Sequence, residues 1–68
     1  MRTRQMFARR LKQLRRQRGL TQAALAYKLK FSLSYVARIE QGLHDPPLST
    51  LEKIAKALGV PLSKLFTS

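Results

Sequence analysis

Leu20-Thr21-Gln22-Ala23-Ala24-Leu25-Ala26, running on through Lys30-Phe31-Ser32 into Leu33-Ser34-Tyr35-Val36-Ala37-Arg38-Ile39-Glu40-Gln41-Gly42, decides the fold of this 68-residue chain. Thr21 stands where a hydroxyl can cap a helix over about Gln22 to Leu29, with Leu25, Ala26 and Leu29 turned inward. Leu20, one position before that cap, is placed to staple onto Leu25. Ser32 repeats the arrangement: it caps a helix over about Leu33 to Gln41, Phe31 staples onto Val36, and Val36 and Ile39 face the core. Only Lys30, Phe31 and Ser32 separate the two helices, so they must cross steeply.

Working outward, Phe7, Leu11 and Leu14 follow helical spacing, which predicts a first helix over about Gln5 to Arg18, ended by Gly19. Residues 1 to 4 precede it as a basic arm. Beyond Gly42, Leu43 to Pro47 form a loop whose prolines bar helix continuation. A fourth helix starts between Leu48 and Thr50 and ends at Gly59. Ser49-Thr50-Leu51-Glu52 has capping-box spacing there, and Leu48, Leu51, Ile54, Ala55 and Leu58 form the buried stripe. Pro61 opens a short fifth helix with Leu62, Leu65 and Phe66 on one side, closing the core over the first helix. No stretch alternates with period two, so the fold class is all-α, with residues 5–68 as one domain.

The charge is polarised. Fourteen Lys and Arg against three acids give +11, and all three acids (Glu40, Asp45, Glu52) lie beyond residue 39, so the first 39 residues carry the entire excess. A surface of one sign suits a polyanionic partner, whereas a merely solubilising surface mixes signs. At 44% hydrophobic residues the chain is too apolar for a disordered basic tail. With no cysteine, disulfides and thiolate metal sites are excluded, and a single histidine argues against a His-based zinc site. No apolar run approaches the roughly 20 residues of a membrane span. The expectation is a soluble, cytoplasmic protein with no membrane partner, no cofactor, no metal and no small-molecule ligand. One His and no paired carboxylates in a cleft argue against an enzyme.

The two segments quoted above, followed by Leu51-Glu52-Lys53-Ile54-Ala55-Lys56-Ala57-Leu58-Gly59-Val60, closely resemble the phage-repressor (Cro-like, xenobiotic-response-element) helix-turn-helix family over about residues 7 to 66. The resemblance implies a five-helix, lambda-repressor-like DNA-binding domain with its helix-turn-helix at helices 2 and 3. The third helix would enter the major groove of double-stranded DNA, and the protein would be a homodimer on a two-fold-related operator. Chains of this size resemble restriction-modification controller proteins, small phage repressors and some antitoxins. An antitoxin-type or non-specific nucleic-acid-binding module is the alternative.

Ser32, Leu33, Ser34 and Arg38 lie opposite Val36 and Ile39, which makes them the candidate base-reading set. Arg38 either pairs with guanine O6 and N7 or, too far along the helix, reaches only phosphate, and Leu33 suits a thymine methyl. Gln22, at the start of its helix, is a candidate phosphate ligand. Tyr35 either packs half-buried or lays its hydroxyl on phosphate, and His44 either bonds phosphate or is solvated. Lys28, Arg9, Arg10, Lys12, Arg16 and Arg18 contribute field. Arg2 and Arg4 are either a minor-groove arm or a frayed terminus. Glu40 opposes its helix dipole and needs a compensating cation; the resemblance implies an ion pair with Arg15. Against the family pattern, Lys30 stands where the turn usually has glycine and could gain a phosphate contact. Pro47 replaces a small polar cap, passing that role to Ser49, and Leu33 takes a position often held by a polar reader.

Overall fold

The second helix forms where the side chains dictate it. In the computed structural model, which describes residues 3–66, Thr21 is extended and its Oγ1 accepts the Ala24 N–H at 3.0 Å, starting helix α2 over Gln22–Leu29. Ser32 Oγ does the same for the Tyr35 N–H at 3.1 Å and opens α3, Leu33–Glu40. Ahead of them lies α1, Thr3–Gln17, and behind them α4, Leu48–Leu58. The chain closes on a 3-10 turn at Leu62–Leu65. The fifth helix expected after Pro61 is therefore a single tighter turn: the Lys64 and Phe66 N–H groups bond the Pro61 and Ser63 carbonyls, three residues back rather than four.

α1 begins two residues earlier than the Gln5 expected, which takes Thr3 and Arg4 out of the arm assigned to residues 1–4 and into the helix. Met1 and Arg2 lie outside the described residues. α3 ends at Glu40, with Gln41 as its C-cap. The start of α4 has no side-chain cap: Ser49 lies inside the helix, and the Pro47 carbonyl accepts the Thr50 and Leu51 N–H groups at 3.0 and 3.1 Å. Proline supplies no donor and a fixed φ, which lets the helix start at Leu48 without a hydroxyl.

Phe7, Leu11 and Leu14 of α1, Leu25 and Leu29 of α2, Val36 and Ile39 of α3, and Ile54 and Leu58 of α4 form one core, closed by the fully buried Leu65. Leu48, expected in the stripe, is 61% exposed because it sits on the first residue of α4, where the helix has not yet reached the core. Phe66 is also half-exposed, but its ring stacks on Phe7 at 5.7 Å between centroids. Two arginines tie distant pieces to α1. Arg10 Nε donates to the Lys64 carbonyl at 2.9 Å, and Arg18 Nε donates to the Leu58 carbonyl at 2.6 Å, satisfying the C-terminal end of α4 with a cation.

Lys30 ends α2 at φ 60°, ψ 37°, the left-handed region, with its N–H bonded to the Ala26 and Tyr27 carbonyls. A Cβ there costs about 1 kcal/mol relative to glycine. Lys30→Gly should therefore raise the melting temperature by about 4 to 8 °C. A thermal melt followed by circular dichroism checks this, and an unchanged or lower midpoint would contradict the strain.

Candidate nucleic-acid interface

α3 has one face locked and one face free. Val36 and Ile39 are buried at 1% and 0% exposure, while Ser32, Leu33, Ser34 and Arg38 are all exposed. The outward side carries two hydroxyls, an isobutyl group and a guanidinium. Leu33 stands 51% exposed on this outward side. Ser32 Oγ lies 3.4 Å from Ser34 Oγ.

The locked side ends in a charged hub. Arg15 Nε donates to Glu40 Oε2 at 2.6 Å and Arg15 Nη2 to Oε1 at 3.0 Å, a two-point fork, while Nη1 donates to the Leu20 carbonyl at 2.8 Å. The side chains are 9% and 1% exposed. Gln22 Nε2 donates to the same Glu40 Oε1 at 3.0 Å. Among the described residues no buried side-chain N or O lacks a hydrogen-bond partner, which is the condition for an ion pair to be tolerated away from water. One cluster thus fixes α1, the α1–α2 link, the first residue of α2 and the last residue of α3. Gln22 reaches the hub with one of the two N–H bonds of its amide, which sets the direction of the other.

Tyr35 and His44 are brought together. The Tyr35 hydroxyl lies 3.1 Å from His44 Nε2, and the rings meet edge to face at 4.9 Å. Phe31 contacts Tyr35 from the other side at 5.1 Å, again edge to face, and Lys53 Nζ lies 5.7 Å from the centre of the Phe31 ring. Tyr35 is therefore a half-buried packing residue whose hydroxyl is already engaged, and His44 is half-buried against it. Lys30 is exposed at the turn between α2 and α3.

Sequence reasoning counted Arg10 and Arg18 only as field, whereas both hold backbone carbonyls 54 and 40 residues away. No local spacing announces such contacts. It also gave no role to Lys53, whose place over the Phe31 ring is a tertiary contact with no local signal. No group of three or more His, Asp or Glu among the described residues could hold a metal ion. No helix among them is long and apolar enough to cross a membrane.

A pair of capped short helices crossing at a three-residue turn, with the second presenting a polar outer face, is a helix-turn-helix unit. The chain belongs to the helix-turn-helix domain family, whose profile matches residues 6–65. It is 48% identical over 56 residues to the immunity repressor protein of Bacillus phage phi105, covering 82% of this chain and 39% of the repressor. The control protein C.MunI of a Mycoplasma species is 37% identical over 62 residues, covering 90% of this chain and 84% of that protein. Among solved structures, the restriction-modification controller protein C.AhdI from Aeromonas hydrophila superposes with a TM-score of 0.89 at 35% identity, covering 93% and 96% of the two chains. The relatives are transcriptional regulators and controllers, so the class defined by the fold is that of helix-turn-helix regulators. The chain spans about two fifths of the length of the phage repressor it matches, 39%.

Proposed function

We propose that this protein is a sequence-specific double-stranded DNA-binding transcriptional regulator that places α3 in the major groove. The observation that carries the reading is the outward face of α3. Leu33 and Arg38 stand exposed on a helix whose other face is held by buried Val36 and Ile39 and by the Arg15–Glu40 fork. Base edges demand groups presented at fixed positions, and a rigid helix supplies them. The concentration of the net positive charge in residues 1 to 39 supports the reading, because phosphate neutralisation provides the sequence-independent part of the affinity. The names of the relatives point the same way.

The contacts divide by chemistry. Arg38 pairs with guanine and Leu33 with a thymine methyl, while Ser32 and Ser34 offer hydroxyls to base edges or backbone. Gln22, oriented by Glu40, directs its remaining amide N–H to phosphate, and Lys30 reaches the backbone from the turn. Tyr35 and His44, already hydrogen-bonded to each other, meet phosphate as a unit through the imidazole edge. A homodimer on a two-fold-related operator would cover Leu43 and Leu48, both 61% exposed on the loop after α3 and at the start of α4. Sedimentation equilibrium tests the dimer directly, and a Leu43→Ser, Leu48→Ser variant should shift it toward monomer.

Selection of bound fragments from a random DNA pool tests the function. A two-fold-related consensus is expected. If each subunit of a dimer neutralises about five phosphates, log K against log salt on a duplex no longer than that consensus should have a slope near −9, at roughly −0.9 per contact. No enriched sequence, or a slope near zero, would sink the proposal.

A further inference from the structure

α2 packs against α4, and a surface groove runs along the seam, lined by Lys28, Leu29, Lys30, Lys53, Lys56 and Ala57. Leu29 is buried beneath it and Ala57 half-buried, while all four lysines are exposed. No acid lines the groove. Four like charges gathered within one concavity repel one another unless an anion joins them, and a channel lined by one sign focuses its field on such a partner.

Two features of the groove point to its occupant. One of its lining residues, Lys30, is only three residues before Leu33, so that part of the groove lies at most about 11 Å along the chain from the tip of α3. The major groove is about 12 Å wide, so residues flanking the tip of an inserted helix lie beside one of its phosphate walls. Phe31 then joins the groove to α3: its ring touches Tyr35 on α3 at 5.1 Å and lies under Lys53 of α4 at 5.7 Å. One lysine of the groove is thereby held over a ring that also touches the reading helix. The left-handed backbone of Lys30 keeps a fourth lysine at the junction, where glycine would be unstrained.

We propose that the lysine groove between α2 and α4 holds the sugar-phosphate backbone of DNA flanking the half-site read by α3, so that each subunit grips duplex outside the sequence it reads. The inference rests on α3 being the major-groove helix. Lysine binds phosphate as a mobile point charge without base discrimination, so the flank is read for its length and not for its sequence.

The experiment compares two duplexes by fluorescence anisotropy. One is trimmed to the selected operator, and the other is extended at each end by about one helical turn, roughly 10 base pairs. Wild-type protein should bind the longer duplex about tenfold more tightly at moderate salt, whatever the flanking bases, with a salt slope steeper by about 0.9 for each further phosphate held. Lys28→Gln, Lys53→Gln, Lys56→Gln together should bring the ratio of the two affinities to about one. The corresponding Lys→Arg triple variant should restore it. Thermal melts of both variants are compared with wild type, and the ratio is read on protein that melts as wild type does.

A wild-type ratio near one would overturn the proposal; the groove would then be a surface for an acidic protein or a solvated patch. A ratio kept by the Gln variant, or one that changes with flanking sequence, would overturn it too. Failure of the pool selection to enrich any sequence is a separate result, which removes the major-groove reading itself.

Discussion

Glu40→Ala should leave a substantial fraction of the domain, on the order of half, unfolded at room temperature. The Glu40 side chain is 1% exposed and receives two hydrogen bonds from Arg15 and a third from Gln22. Alanine removes all three and leaves the Arg15 guanidinium, 9% exposed, without a counter-charge. Breaking one side of a buried pair in this way costs about 3 to 5 kcal/mol, mostly as the penalty of the charge left behind. A domain of this size has only about 3 to 5 kcal/mol in total. The loss is therefore comparable with the whole stability, and the unfolded fraction should be visible by circular dichroism at 25 °C. Glu52→Ala, at an exposed position of α4, should change stability by less than about 0.5 kcal/mol. Replacing both partners, Arg15→Met with Glu40→Leu, should recover much of the loss, because two apolar groups of similar volume need no hydrogen bonds. Indistinguishable melting curves for Glu40→Ala and Glu52→Ala would contradict the account.

The same cluster marks how far the sequence could be read. The caps at Thr21 and Ser32 were legible because their partners lie three residues away, Ala24 and Tyr35, and short-range spacing survives in the linear order. The end of α2 at Leu29 and most core residues from Phe7 to Leu58 follow from local pattern in the same way, while α3 stops at Glu40, one residue short of the Gln41 expected. Glu40 was legible as an oddity, an acid in the last turn of a helix, and the resemblance supplied Arg15. Gln22 as a third member was not, since it depends on where the start of α2 lies over the end of α3. The arginine bonds to Leu58 and Lys64 are invisible for the same reason, as backbone carbonyls carry no sequence label. Leu48 was misplaced because periodicity says which side of α4 a residue occupies, not whether the helix at that point has reached the core. Tyr35 was left between two readings, and the hydrogen-bond partner that bears on them, His44, lies nine positions away across a loop. The legible features are the local ones, and much of the interface geometry is tertiary.

On the proposed reading Leu33 and Arg38 divide what remains, the choice of bases, and their variants should fail in different ways. Both are exposed, so neither change should destabilise the fold, and the effects belong to binding. Arg38→Ala removes a fork that can hold guanine O6 and N7 together; it should weaken the cognate site by about 1 to 3 kcal/mol and relax a guanine position. Leu33→Gln exchanges an apolar contact for an amide that pairs with adenine N6 and N7. It should move preference at one operator position from T toward A, with affinity for the best site largely kept. Gln22→Ala is the control. Its amide bonds Glu40 and, on the proposed reading, phosphate, neither of which carries sequence information, so its loss should weaken every site alike while the consensus stays as in wild type. Selection from a random pool, run in parallel on the three variants, separates these outcomes. An unchanged base preference in both Leu33→Gln and Arg38→Ala would mean that α3 does not read DNA with this face. A changed consensus in Gln22→Ala would mean that the hub steers which bases α3 reaches as well as how firmly it is held.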